Sequence, residues 1–244
     1  FVSLLCLGGC AARYTGYGPH FSPVEKTIKR IAILNPEIYS FDVSEGGINE
    51  FRVDWSDIAK EKLAEALTVK LNSKGFIPTV IKDTESGVCT DTVRAIIKIV
   101  TNEIQKRLYG KNSFYNQIEK FDYSTGSVSQ ICNLLNVDAL LFVFGLDENY
   151  SVERIKNLSK TASVKTARST IMAVISTILI GSGTIRTYSV PFERTYLSCT
   201  EVDTSGQIVW FKKYFEADGY DMRKPYDAAK LAQSITKGFR IGSK

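Results

Sequence analysis

The sequence predicts a single α/β domain with three layers, in which helices flank a mixed sheet of about five strands. Short apolar runs typical of buried strands alternate with segments whose apolar residues recur every three or four positions. Near the C-terminus two alternating segments, 192–203 and 207–215, are joined by turn residues and predict a β-hairpin. The 244 residues are 44% hydrophobic and 23% charged, a globular composition that excludes a disordered or collagen-like chain.

The domain is expected over residues 28–239 and begins with a strand. Residues 30–35 form a short apolar run closed by an Asn-Pro pair, which predicts a central strand. Residues 40–50 are polar and contain glycine, so we expect a loop there. The last residues, 240–244, are predicted to form a short tail.

A change of hydrophobic period marks the first helix. From Trp55 to Leu71 the apolar residues follow a helical spacing, with Ser56 as the expected N-cap and Gly75 as the end. Residues 76–81 predict a second strand. Its proline favours an edge position because proline cannot donate a hydrogen bond to a neighbouring strand.

Four further elements are predicted in the rest of the chain. Residues 90–108 carry a single apolar stripe and predict a helix, and a shorter helix is expected from Ser127 to Leu135. Residues 138–145 are apolar at nearly every position, which predicts a strand covered on both faces. The last helix is expected from about Pro225 to Phe239, with the proline in its first turn.

The first ten residues end in a compact motif. Residues Leu7–Cys10 comprise a branched apolar residue, two small residues and a cysteine, directly behind an apolar run. This pattern resembles the bacterial lipobox, in which the cysteine is acylated and becomes the first residue. Residues 1–9 are then the end of a signal peptide. Cys6 is an alternative, but no small residue directly precedes it.

The resemblance to a lipobox implies a location in the bacterial envelope. The acylated Cys10 would anchor the chain in a membrane, facing the periplasm. Ala11 and Ala12 follow, without the aspartate that often marks retention in the inner membrane, so the outer membrane is favoured. Residues 13–27 contain glycine and proline and lack periodicity, which predicts a flexible tether.

The predicted hairpin and the strand before it extend this resemblance. The segment NVDALLFVFG, followed by YLSCTEVDTSGQIVWFKKYF, is similar to a recurring pattern of envelope lipoproteins. The pattern occurs in curli secretion channel lipoproteins, lipoprotein activators of penicillin-binding proteins and the amino-terminal domain of the Tol β-propeller protein. The resemblance covers roughly residues 28–239 and implies an α/β fold. It does not distinguish the roles of these members.

Residues 151–190 form an insertion with an unusual composition. They contain six basic residues and one acid, Glu153, a net charge of +5 that equals that of the whole chain. The basic patch comprises Arg154, Lys156, Lys160, Lys165 and Arg168, and Arg186 follows later. An apolar run over 171–180 comes next. As a helix it would span about 15 Å, half of a roughly 30 Å hydrocarbon core.

Three interpretations of the apolar run remain open. The run is either a helix that packs on the domain's own sheet, a helix that packs against another subunit or protein, or a surface helix that lies in the lipid interface. A porin-like strand is disfavoured because polar residues do not alternate. Apolar side chains cover most of a helical turn, so we predict a contact with another subunit. The predicted contact residues are Ile171, Met172, Val174, Ile175, Ile178 and Leu179.

The sequence shows no catalytic, cofactor-binding or metal-binding motif. The one histidine, His20, lies in the predicted tether, and the cysteines lack the spacing of a zinc site. Cys132 and Cys199 are predicted to be buried free thiols, and the state of Cys89 is left open. The carboxylate pairs Asp54/Asp57 and Asp147/Glu148 are explained by helix ends and strand ends.

These observations favour a non-enzymatic lipoprotein that scaffolds or assembles an envelope machine. Its expected partners are other envelope proteins, further copies of itself, and the membrane through the lipid anchor. The mild net charge of +5 does not favour nucleic acid as a partner. The alternatives are an enzyme that modifies an envelope polymer and a subunit of a secretion channel.

Overall fold

The computed structural model describes most of the predicted domain. The described residues are 14–17, 28–46, 48–81, 124, 126–163, 193–216 and 220–239. Their strands are β1 (Tyr14–Tyr17), β2 (Arg30–Leu34), β3 (Glu37–Val43), β4 (Asn49–Phe51), β5 (Ile77–Ile81), β6 (Ala139–Tyr150), β7 (Glu193–Asp203) and β8 (Ile208–Glu216). Their helices are α1 (Val53–Ser73), α2 (Ser129–Leu135), α3 (152–163) and α4 (Pro225–Ile235).

The strands form one mixed, eight-stranded sheet. The main order is β1-β8-β7-β6-β2-β5, and β3 and β4 extend the sheet beside the second half of β6. β2 and β3 run parallel to β6, whereas β7, β8 and β1 follow as successive antiparallel neighbours. α1 and α4 pack on one face, here called the α1 face, and α2 packs on the other, the α2 face. The predicted three-layer α/β class and C-terminal hairpin are confirmed.

α1 returns the chain from the end of β4 to the start of β5. Its inward residues Ala59, Leu63, Leu67 and Leu71 recur every four positions and are fully buried against the sheet. Full burial of each leucine contributes about 1.5–3 kcal/mol. Gly75 adopts a φ of 87°, which a left-handed helix terminus requires, so the predicted end of this helix is confirmed.

Ser56 is not the N-cap that the sequence predicts. α1 begins at Val53, and the preceding Arg52 makes no side-chain cap. The Ser56 hydroxyl instead donates to the carbonyl of Arg52 at 2.8 Å and accepts the backbone N–H of Ser40 at 2.9 Å. The buried serine therefore joins the first turn of α1 to β3 and satisfies a polar group of that strand.

β6 lies in the interior of the sheet, as predicted, and is longer than the predicted 138–145. It extends over Ala139–Tyr150, and its first five residues are buried. A Cβ at Gly145 would lie 2.8 Å from Cδ1 of Ile38 and 3.0 Å from Cδ1 of Leu197. A side chain at position 145 would require the ends of these two side chains to shift, because they occupy the space above its Cα.

Three strands form where the sequence predicts irregular structure. β3 and β4 occupy much of the predicted loop 40–50, and β1 occupies part of the predicted tether 13–27. β1 pairs with Trp210–Lys213 along the outer edge of β8. This pairing satisfies backbone groups that an open sheet edge would leave exposed. The sheet therefore exceeds the predicted five strands.

Asp138 fastens the start of β6 to β2. Its carboxylate accepts the backbone N–H groups of Lys29 at 3.0 Å and Arg30 at 2.8 Å, and the Arg30 guanidinium at 2.8 Å. Burial opposes ionisation of Asp138, but these donors outweigh it and lower the pKa of the carboxyl. The ionised carboxylate therefore stabilises the pairing of the two parallel strands.

The shorter helices agree with the sequence. α2 begins two residues after the expected Ser127 and ends at the expected Leu135, and the following Asn136 adopts a φ of 53°. α4 begins with Pro225 in its first turn, as predicted, but ends at Ile235, four residues before the predicted Phe239. The predicted helix over 90–108 lies outside the described residues. Among those that are described, no helix combines the length and the apolar character needed to cross a bilayer.

Candidate interaction surface

One face of the sheet carries a row of aromatic residues beyond the area that α2 covers. α2 packs on the first half of β6, around Leu140 and Phe142. Further along, ring-bearing residues of β4, β3, β6 and β7 follow one another on the same face. We call this set the aromatic strip: Phe41, Phe51, Tyr39, Phe144 and Tyr196.

The rings of the strip contact one another in sequence. Ring centroids are 5.7 Å apart for Phe41 and Phe51, and 5.8 Å apart for Phe51 and Tyr39. The row continues through Phe144, at 6.0 Å from Tyr39 and 6.1 Å from Tyr196. The tilted and edge-on arrangements are those that aromatic pairs favour, with about 0.5–1.5 kcal/mol for each pair. The strip is therefore one packed surface across four strands.

The strip is only partly covered. Phe51 is 46% exposed, and Leu146, which lies between Tyr39 and Tyr196 in the strand register, is 37% exposed. The other rings are half-buried. An isolated exposed apolar residue is ordinary, but a contiguous apolar area on a folded domain is typical of an interaction site.

Charged residues of both signs lie beside the strip. Glu37 and Glu148 lie on β3 and β6, whereas Arg194 and Lys213 lie on β7 and β8. Nζ of Lys213 is 5.3 Å from the ring centroid of Tyr196, and burial lowers the pKa of this lysine. Glu148 and Arg194 lie opposite each other in the ladder between β6 and β7, 4.0 Å apart. The surface therefore combines an apolar centre with neighbouring charges of both signs.

The opposite face of β6 carries a buried polar cluster. The carboxylate of Asp147 accepts the backbone N–H of Met222 at 3.1 Å and the hydroxyl of Thr195 at 3.4 Å. The Thr195 hydroxyl also lies 2.8 Å from the carbonyl of Tyr220. Asp147 and Thr195 are fully buried. This cluster holds the loop before α4 against the sheet.

An arginine–tryptophan stack closes the same loop against α1. The guanidinium of Arg223 lies 3.8 Å from the ring centroid of Trp55, and that of Arg52 lies 4.5 Å from it. Arg223 also binds Asp221 at 2.7 Å and Asn149 at 3.3 Å. Burial opposes ionisation of Asp221, but its basic neighbours outweigh burial and lower the pKa. The loop over residues 220–223 is therefore held by the ion pair between its own Arg223 and Asp221 and by the stack of Arg223 on Trp55.

The acidic pairs that the sequence assigns to helix ends and strand ends do not converge on one site. Asp147 and Glu148 are consecutive strand residues, so their side chains lie on opposite faces of the sheet. Asp54 pairs with Arg52 at 3.0 Å, and Asp57 pairs with a lysine of the same helix at 2.9 Å. Within the described ranges, no group of three or more His, Cys, Asp or Glu side chains could hold a metal ion.

Two of the cysteines are buried free thiols, as predicted. Cys132 lies on the inner side of α2 and Cys199 lies inside β7, and both are fully buried. Burial raises the pKa of the Cys132 thiol to about 11 and raises that of Cys199 further. Both are protonated at neutral pH, so neither is a nucleophile. Cys89 lies outside the described residues.

Three residues of the predicted basic patch lie on α3. Arg154 donates to the carbonyl of Glu45, 3.2 Å away, and fastens α3 to the turn between β3 and β4. Lys156 and Lys160 are exposed one helical turn apart. Lys165 and Arg168 lie outside the described residues. Arg154 therefore stabilises the fold, whereas Lys156 and Lys160 are open to solvent.

The other predicted site residues are not described. They are Cys10, Ile171, Met172, Val174, Ile175, Ile178 and Leu179. The aromatic strip, in contrast, is absent from the sequence-based prediction. Its members are separated by up to 157 positions, and only the pairing of β3, β6 and β7 brings them together.

Comparisons with known proteins give structural matches only. Neither a family model nor a curated protein sequence matches the chain. Two solved structures are similar: the PelC dodecamer from Paraburkholderia phytofirmans and a dodecamer of a single-residue variant of it. Both are 9% identical to this chain, with TM-scores of 0.40 and 0.41. The first match covers 94% of this chain and 97% of the PelC chain, and the second covers 95% of this chain and 99% of the variant chain. At these values no shared function or assembly follows.

Proposed function

We propose that the chain is a periplasmic lipoprotein, anchored in the outer membrane through Cys10, that acts as a non-enzymatic assembly subunit of a cell-envelope machine. The aromatic strip is the observation that carries the proposal. Its centre is apolar and partly exposed, and its rings are fixed by their neighbours. Rigid aromatic side chains bind a partner with little loss of conformational entropy and are enriched at protein interfaces.

The partner that fits the strip best is a second copy of the same chain. Glu148 and Arg194 lie beside the strip, carry opposite charges and are both partly exposed. A two-fold related copy would pack its aromatic centre on that of the first subunit and would bring Glu148 of each subunit toward Arg194 of the other. Such self-complementary contacts are the usual basis of homo-oligomers.

The lipid anchor is supported by the sequence and by the start of the fold. Leu7–Cys10 has the composition of a lipobox, and the first described strand begins at Tyr14. An acylated Cys10 would therefore be connected directly to the edge of the sheet. Subunits held in this way share one membrane plane, which raises their local concentration and favours lateral assembly.

Site-specific photocrosslinking in living cells tests the proposal. The photoreactive residue p-benzoylphenylalanine replaces Phe51 in one variant and Tyr226 in the control. Both positions carry exposed aromatic side chains, at 46% and 68%, but Tyr226 lies on α4 in the opposite layer. We expect a product of doubled mass from the Phe51 variant and none from the control.

The crosslinked products also separate the possible partners. A product that contains a different envelope protein would retain the assembly role and replace the second copy as the partner. An absence of products from position 51, in protein that is folded and bound to the membrane, would contradict the proposal.

A further inference from the structure

We infer that one end of the sheet rests on the phospholipid bilayer. This end, called the anchor end, is formed by Val43 and Tyr150, the last residues of β3 and β6, and by the turn between β3 and β4. α3 begins beside it, since the backbone N–H of Ser151 donates to the carbonyl of Val43 at 3.0 Å. The inference rests on the proposed function because it requires the acylated Cys10.

The direction of β1 places the anchor at this end. β1 is antiparallel to β8, which is parallel to β6, so the chain before Tyr14 comes from the anchor end. Four residue steps separate Cys10 from Tyr14, and a fully extended chain spans at most about 14 Å over that distance. An acylated Cys10 therefore holds the edge of the sheet close to the lipid.

The remaining length of the sheet brings the anchor end to the membrane. Through Lys213 and Ser198, Tyr14 lies level with Phe144, which is six residues from the end of β6. Six strand residues span about 20 Å, more than the reach of the anchor. The anchor end therefore extends at least as far toward the bilayer as Cys10 does.

The exposed residues at this end suit a lipid interface. Val152, at 74%, and Ile48, at 72%, are the two most exposed large hydrophobic residues of the described chain. Ile48 lies in the β3–β4 turn, where its carbonyl accepts the backbone N–H of Ser44 at 3.0 Å. Val152 opens α3. Branched apolar side chains of this kind enter the interface between headgroups and acyl chains.

Two lysines beside these residues provide contacts for lipid headgroups. Lys156 and Lys160 are exposed on α3, whose described residues carry three bases and one acid, Glu153. The neighbouring Glu45 is bound within the protein, because its carboxylate accepts the side-chain amide of Asn157. The exposed charge of the helix is therefore mainly positive, which favours anionic phospholipid.

Nitroxide labels at the two ends of the sheet test this inference. The lipidated protein, extracted from membranes, carries Cys89→Ser and either Ile48→Cys or Ile77→Cys, and is reconstituted into vesicles of phosphatidylethanolamine and phosphatidylglycerol. Ile77 is a matched control, since it is 59% exposed at the opposite end of the sheet. We expect the label at position 48 to collide several-fold more with oxygen than with a water-soluble nickel chelate. The control should show the reverse.

The outcomes distinguish this inference from the proposed function. If both labels collide mainly with the nickel chelate while mass spectrometry finds acylated Cys10, the membrane contact is overturned and the anchor stands. If position 48 is shielded from both reagents, a protein contact replaces the lipid and also overturns the inference. If Cys10 carries no lipid, both proposals fail.

Discussion

Tyr14 lies opposite Lys213 in the antiparallel ladder between β1 and β8. The strand that follows the predicted lipidation site is therefore part of the sheet. Residues 14–17 of the predicted tether are thus a strand, and residues 18–27 lie outside the described residues. An acylated Cys10, as proposed, would leave the domain little freedom to move away from the membrane surface. It would also place toward the lipid the end of the sheet at which β1 begins.

The central position of β6 predicts a large effect of a buried charge. Leu141→Asp places a carboxylate among fully buried residues and should cost several kcal/mol of unfolding free energy, roughly 3 or more. The control Leu134→Asp makes the same change at a side chain that is 68% exposed and should shift stability by about 0.5 kcal/mol or less. Urea denaturation measures both, and equal effects would show that β6 is peripheral.

The polar cluster predicts a role for Asp147 in stability. Asp147→Ala removes the acceptor for Met222 N–H and Thr195 Oγ1, and should destabilise the domain by about 1–3 kcal/mol. Glu148→Ala is the control, because the neighbouring carboxylate faces the other side of the sheet and is partly exposed. The difference should appear in melting curves. A variant at position 147 as stable as the control would contradict the clamping role.

The lowered pKa of Asp138 predicts a dependence on pH. Since the folded protein holds this carboxyl ionised more strongly than the unfolded chain does, its contribution is present above the unfolded value of about 3.9. It is lost as the pH falls through the lower folded value. Asp138→Asn should reduce stability by about 1–2 kcal/mol at pH 7, since Arg30 is partly exposed. The difference between the variant and the parent protein should begin to shrink as the pH falls below about 4 and should vanish below the folded value. A constant difference would exclude this origin.

The predicted insertion, residues 151–190, is expected to contribute to assembly as well. Deletion of residues 170–180, which contain the predicted contact residues, should abolish co-purification of partners while the fold and the membrane anchor are retained. Circular dichroism, membrane fractionation and affinity isolation measure the three properties. Unfolding of the deletion variant, together with an absence of assembly in the parent protein, would favour a helix that covers the domain's own sheet.

The sequence predicts the elements whose signals are local. The periodicity of α1, the apolar run of β6 and the turn residues of the hairpin each depend on neighbours along the chain. β3 is missed because it is flanked by Pro36 and glycine-containing polar residues, and β4 because its three residues are all exposed. β1 is missed because its pairing depends on β8, nearly 200 positions away.

The candidate site depends still more on tertiary structure. Phe41 and Phe51 are close in sequence, but Tyr196 joins them only through the pairing of β7 with β6. No local pattern separates these rings from ordinary core residues. The prediction that Ser56 is the N-cap of α1 was wrong for a similar reason. The contact that fixes its role comes from Ser40 on β3, which the helical spacing does not reveal.

Native mass spectrometry of the protein extracted from membranes in mild detergent tests the central claim most directly. We predict a mass that is a multiple of the single chain, with every subunit beginning at an acylated Cys10. Phe51→Glu, which places a charge in the aromatic strip, should dissociate the assembly, so that the measured mass is that of a single acylated chain. A single chain from the parent protein, unmodified at Cys10 and retaining residues 1–9, would contradict the account.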